Sequence, residues 1–117
     1  MIFTSKNEDG EPAWELILKG RKDVTRRFKP EPVGAIRAVC PGRGVKRVGN
    51  IVIKSCVLHK DWLKSFHGIE VPLQKEAERE GFKTWSGLMA WFVQKRIPID
   101  ETYRIEFDLI PESVIRF

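Results

Sequence analysis

Hydrophobic positions along the chain follow two different periods. Near the start, Trp14, Ile17 and Leu18 recur at i, i+3 and i+4, the single apolar stripe of a helix set against a core. Pro12 stands at the position helices favour for their first residue, and Gly20 stands where a helix end takes glycine. Further on, Trp85, Leu88, Met89 and Phe92 trace a longer stripe, with Thr84 as its N-cap and Pro98 past its end. A third helix is predicted over residues 72–80, opened by Pro72 and stopped at Gly81. Three other segments have a period of two. Residues 35–40 alternate loosely, and residues 48–58 put Ile51, Ile53 and Val57 on one face. Residues 102–109 alternate strictly: Tyr103, Ile105, Phe107 and Leu109 are expected inward, Arg104, Glu106 and Asp108 outward. Ile2 and Phe3 add a short edge strand, and the turn Pro41-Gly42-Arg43-Gly44 predicts a hairpin.

Strands this far apart in sequence must curl into one sheet or a small barrel. The predicted class is α+β and mostly antiparallel, with about three helices covering the open side. A length of 117 residues fits a single domain over 1–117 with its own core. Hydrophobic residues make up 42% of the chain, with seven Phe and four Trp, which excludes a disordered polypeptide. The longest uncharged run, residues 84–94, is far short of a membrane helix, and the first residues lack the pattern of a signal peptide. A cytoplasmic, monomeric protein without membrane contact is expected. Cys40 should face Arg47 or Val48 across the hairpin, which leaves Cys56 ~25 Å away along the strand. The two are therefore read as small buried hydrophobes in a reducing compartment. Cys56, His59 and His67 match no usual ligand spacing, so neither a metal nor a cofactor is expected, and both histidines stay without a role.

Charge changes the picture more than composition does. The formal net charge is +5, and it is uneven: residues 1–60 hold 13 Lys and Arg against 6 Asp and Glu, residues 61–117 hold 8 against 10. A basic first half points to a phosphate-bearing partner, RNA or a nucleotide. The densest cluster is the segment Gly20-Arg21-Lys22-Asp23-Val24-Thr25-Arg26-Arg27, read as a basic connector after the first helix. Cations there suit the helix dipole, but five polar donors in so short a segment exceed what a cap needs. The hairpin cations Arg43, Lys46 and Arg47 sit beside glycines that let backbone amides approach a phosphate. Arg21, Arg26, Arg27, Arg43, Lys46 and Arg47 are the candidate nucleic-acid contacts. Trp62 and Trp91 are either base-stacking platforms or half-buried packing.

Glu80 is the candidate acid or base. Leu73, Ala77 and Glu80 are spaced by four and three, so Glu80 continues the apolar stripe of its helix and ends it. Burial and the dipole at that end should both raise its pKa, unless a nearby lysine offsets them. The competing expectation is a salt bridge to a connector cation that holds the helix in place. Glu76 and Glu78 lie off the stripe and are expected in solvent.

Taken together, "LILKGRKDVTRR", "VGAIRAVCPGRG", "VGNIVIKS", "EAEREGF" and "YRIEFDLI" resemble an ASCH domain over residues 14–109. The resemblance implies a compact β-barrel similar to the PUA domains of RNA-modifying proteins, with a cleft between barrel and helices. It also implies an RNA-related role. One branch of that family hydrolyses the amide of acetylated cytidine with a lysine, a threonine and a glutamate. Motif by motif, these fall on Lys22, Thr25 and Glu80. The chemistry implied is attack of Thr25 on the carbonyl, its proton passing to Lys22, with Glu80 serving the departing amine. Two functions are thus expected: a nucleotide-binding module, or a small amidohydrolase on a modified nucleoside.

Overall fold

A computed structural model describes residues 1–111; the last six residues of the expected 1–117 domain lie outside the described residues. In chain order the elements are α1 (Ala13–Leu18), β1 (Val24–Arg27), β2 (Ile36–Val39), β3 (Gly49–Leu58), α2 (His59–Lys64), α3 (Leu73–Arg79), α4 (Trp85–Gln94) and β4 (Tyr103–Ile110). A 3₁₀ turn, Ile99–Glu101, precedes β4. The strands make one antiparallel sheet in the order β1-β4-β3-β2. No helix among the described residues is long and apolar enough to cross a membrane.

The core lies on one face of this sheet. Ile51, Ile53, Ile105 and Phe107 point from the two central strands toward Phe3, Ala13 and Ile17, which the N-terminal segment and α1 lay over them. A second apolar cluster, Phe82, Leu88 and Phe92, joins the end of α3 to α4. The predicted stripe of α4 is the face that helix buries, through Leu88 and Phe92, whereas α1 buries Ala13, Leu16 and Ile17 and leaves Leu18 of its predicted stripe exposed.

Four expectations need correction. The sheet does not close into a barrel: β1 and β2 are its two edges and share no ladder. What spans the gap is the N-terminal segment. Ile2 bridges Cys40 at the end of β2, and Arg27 of β1 donates to the Ile2 carbonyl at 2.7 Å. The basic connector is also not all loop, since its second half is strand β1. Val24, Thr25 and Arg26 are all buried there. Third, Val57 is exposed and Cys56 packs toward the core. Ile53 pairs with Phe107 and Ser55 with Glu106, so Lys54 is an extra residue whose bulge reverses the inward face of β3. Fourth, Arg104 is buried at 7% exposure because α2 and α3 cover the other face of β4.

Both cysteines are free and half-buried. Cys40 sits one residue beyond the Val39–Gly49 pair, opposite Val48. The helix α2 was not foreseen: Trp62 and Phe66, four apart, meet edge to face with centroids 5.3 Å apart.

Candidate functional site

Lys22, Thr25 and Glu80 line one cavity of about 200 Å³. Local structure brings them together. Gly20, at a φ of 72°, ends α1, and the amides of Arg21 and Lys22 return to the Leu16 carbonyl, which turns Lys22 inward. Glu80 caps α3. The Gly81 amide donates to Glu78 and the Phe82 amide to Ala77, a Schellman closure with Gly81 at a φ of 92°. A hydrogen bond from the Asp23 amide to the Arg79 carbonyl ties the start of β1 to the end of α3.

The pair they form is almost dry. Lys22 Nζ donates to Glu80 Oε1 at 3.0 Å and to the carbonyls of Glu80 and Val24 at 2.7 Å each, so its three protons are all engaged. Glu80 Oε2 accepts from Arg26 Nη1 at 2.8 Å. Burial pushes the Lys22 pKa below its ordinary value against the opposing pull of Glu80. Burial alone would raise Glu80, as the sequence led us to expect, but the charges of Lys22 and Arg26 outweigh it and hold the carboxyl below its ordinary value.

A second layer of charge sits behind this pair, and the sequence reading missed it. Glu76 is 3% exposed, not solvated. It takes two hydrogen bonds from Arg104, at 2.6 and 3.0 Å, and pairs at 2.8 Å with Arg26 Nη2, which is not aligned for a hydrogen bond. Arg26 Nε donates to His59 Nδ1 at 3.0 Å, and burial followed by the Arg26 charge presses the His59 pKa to about 4. The ring of Trp62 lies 5.0 Å from the Arg26 guanidinium and 5.2 Å from that of Arg104. Trp62 therefore holds arginines and offers no platform to a base. The spacing carried one usable signal: Glu76 precedes Glu80 by four and shares its helix face.

The cavity's remaining walls come from two places. Phe82, Leu88, Trp91, Phe92 and Ile97 supply an apolar side; Ile2 to Ser5, Arg27 and Phe28 supply a more polar one. Nothing in the sequence pattern marked the N-terminal residues as cleft wall.

The candidate nucleic-acid contacts divide. Arg26 is buried and committed to Glu80, Glu76 and His59, so it is removed from that set. Arg21 is exposed and pairs with Glu11 at 3.0 Å. Arg43, Lys46 and Arg47 are exposed on the β2–β3 hairpin, where Lys46 and Arg47 border a separate groove of about 430 Å³. That end of β4, at Ile110, is five residues from Ile105, the partner of Thr25, or ~17 Å. Only Arg27, half-buried over the Phe3 ring at 4.7 Å, lines the cleft without a carboxylate partner among the described residues. His67 is exposed. No family model, curated protein or solved structure matches the chain.

Proposed function

We propose that the protein binds a single nucleobase, carried by RNA or by a modified nucleoside, in the cleft between β1, α3 and α4. The observation that carries this reading is the composition of one small cavity. Aromatic side chains of Phe82, Trp91 and Phe92 stand beside the polar floor of Lys22, Thr25 and Glu80. Its volume of about 200 Å³ lies below the roughly 300–1,000 Å³ of pockets for drug-sized ligands, which suits one base rather than a run of them. The resemblance to an ASCH domain supports the same reading. So does the N-terminal segment, which links the two edges of the open sheet through Ile2 and Arg27.

The test is a calorimetric titration with nucleosides, repeated on Trp91→Ala and Thr25→Val. Saturable binding that weakens about tenfold in Trp91→Ala is expected, from the ~1–3 kcal/mol that stacking a base on an aromatic ring contributes. Binding that is indifferent to both variants would place the ligand elsewhere and overturn the reading.

A second reading, hydrolysis of an acylated cytidine, is favoured by the lowered Lys22 pKa beside Thr25. In it the Thr25 hydroxyl attacks the amide carbonyl as Lys22 takes its proton. The amine leaves protonated, and water then releases acetate from the acyl-threonine. Binding stays ahead because Lys22 spends every proton on Val24 and Glu80 and would have to release a contact to act. Acetate release by the wild type, absent in Thr25→Ala, is the outcome that reverses this order.

A further inference from the structure

Among the described residues the cleft has one uncommitted cation, and its position says what else the ligand carries. Lys22 and Arg26 face the cleft already matched to Glu80. Arg27 is different. It uses one N–H on the Ile2 carbonyl and sets its guanidinium carbon 4.7 Å over the Phe3 ring, and among the described residues no carboxylate pairs with it. The two acids nearest in sequence are taken elsewhere, Asp23 by Arg79 at 2.9 Å and Glu31 by Arg37 at 2.8 Å. Three hydroxyls, Thr4, Ser5 and Thr25, line the same cavity and have no side-chain hydrogen-bond partner among the described residues. A guanidinium held over a ring, with N–H groups to spare beside free hydroxyls, is a receptor for tetrahedral oxyanions. Apolar groups gather at the α4 wall, and these donors gather at the wall made by β1 and the N-terminal segment.

We infer that the cleft takes a phosphorylated nucleoside, with the base against Trp91 and the phosphate on Arg27. This rests on the base-binding reading above and adds to it a charge requirement on the ligand. The phosphate is either the monoester of a free nucleotide or a diester within an RNA strand, and Arg27 meets the same oxygens in both.

The experiment compares each nucleoside with its 5′-monophosphate by calorimetry, in wild type, Arg27→Gln and Arg27→Lys. Short trinucleotides and inorganic phosphate are further arms. The monophosphate is expected to bind at least about tenfold more tightly than the nucleoside, the size of one charge-assisted contact. That preference should shrink toward one in Arg27→Gln and persist in part in Arg27→Lys. Because it is a ratio, loosening of the N-terminal segment by substitution cancels. A trinucleotide matching the monophosphate identifies strand RNA as the source; a monophosphate that binds alone identifies the free nucleotide. Equal binding of nucleoside and monophosphate by the wild type overturns the inference and leaves the base site standing. Inorganic phosphate binding through Arg27 with no contribution from any base overturns the base site instead. No binding by any ligand overturns both.

Discussion

Glu80 shows how one residue can be half legible. Its spacing from Leu73 and Ala77 marked it as buried at a helix end, and it is 5% exposed there. Its partners are connector cations, as the competing expectation had it: Lys22 just before β1 and Arg26 within it, more than fifty residues earlier. Together they hold its pKa below the ordinary value. Glu76 was misread because burial of a charge depends on a partner across the fold, and a periodicity of apolar residues is blind to it. Gly81 is the residue on which this geometry turns. With a φ of 92°, a Cβ added to it would meet Leu16 Cδ1 at 2.9 Å. Gly81→Ala is expected to cost at least about 1–2 kcal/mol in urea unfolding and to weaken ligand binding, because the Glu80 cap shifts with it. His59 makes a prediction in pH. Its folded pKa of about 4 lies below the ordinary 6.5, and Arg26, Asp100, Glu76 and Glu80 are the charges around it. An unfolded chain takes up the proton first, so stability present above pH 6.5 is lost as the pH falls toward 4. The loss is at most about 3 kcal/mol from this residue. The carboxyl of Glu80, also depressed, adds to the fall at lower pH. Urea midpoints measured from pH 7 to 4 should decline, and His59→Gln should flatten the part of the slope above pH 4.

At the scale of elements, the helices with apolar stripes were readable and the strand built from charge was not. β1 buries Thr25 and Arg26 beside Val24, so its sequence reads as a polar loop. β3 was found as a strand, but its bulge at Lys54 cannot be seen in a pattern that assumes one register throughout. The helix α4 was read correctly down to its cap, Thr84, whose hydroxyl accepts from the Gly87 amide at 2.9 Å. A second cap comes from far away. Glu8 accepts from the Lys83 amide at 2.8 Å and from the Thr84 amide at 3.0 Å, so the N-terminal segment holds the start of α4. Burial is the largest influence on Glu8 and would raise its pKa, yet these amides together pull it below its ordinary value. Glu8→Ala is expected to cost about 1 kcal/mol, with Glu8→Gln losing less because an acceptor remains. Thermal melts of the three proteins measure the difference. At the other end, Arg96 closes α4 at a φ of 56°. Arg96→Gly should stabilise the fold by roughly 0.5–1 kcal/mol, since glycine takes that conformation without strain. A lower melting temperature for this variant would show that the Arg96 side chain contributes more than its backbone costs.

Across the whole molecule, six of the thirteen cations in the first half of the sequence gather in two places. One is the cleft, where most cations are matched; the other is the hairpin, where Arg43, Lys46 and Arg47 stand in solvent. If an RNA strand crosses both, the three hairpin cations contribute a slope of about −2 in log affinity against log salt. Replacing Arg43 and Arg47 together should remove about two-thirds of that slope and leave mononucleotide binding unchanged. A slope of only about −0.7 for RNA in the wild type, one phosphate contact at Arg27, would confine recognition to the cleft. The open sheet was the less legible feature, because alternation predicts strands and not whether the outermost two will meet.

The N-terminal segment spans that opening through residues 1–5: Met1 donates to the Ala38 carbonyl, Ile2 bridges Cys40, Arg27 donates to the Ile2 carbonyl, Phe3 packs on Phe107 at 6.0 Å, and the Ser5 carbonyl accepts from the Ala13 amide. Ile2 to Ser5 also wall the cleft. Loss of the first five residues to a protease would therefore do two kinds of damage at once. It would strip one side from the ligand site, and it would bare the end of edge strand β2 to pairing with other chains. Clipped protein is expected to aggregate and to lose nucleotide binding by calorimetry, so the fraction of chains that keep residues 1–5 would set both the binding capacity and the shelf life of a preparation.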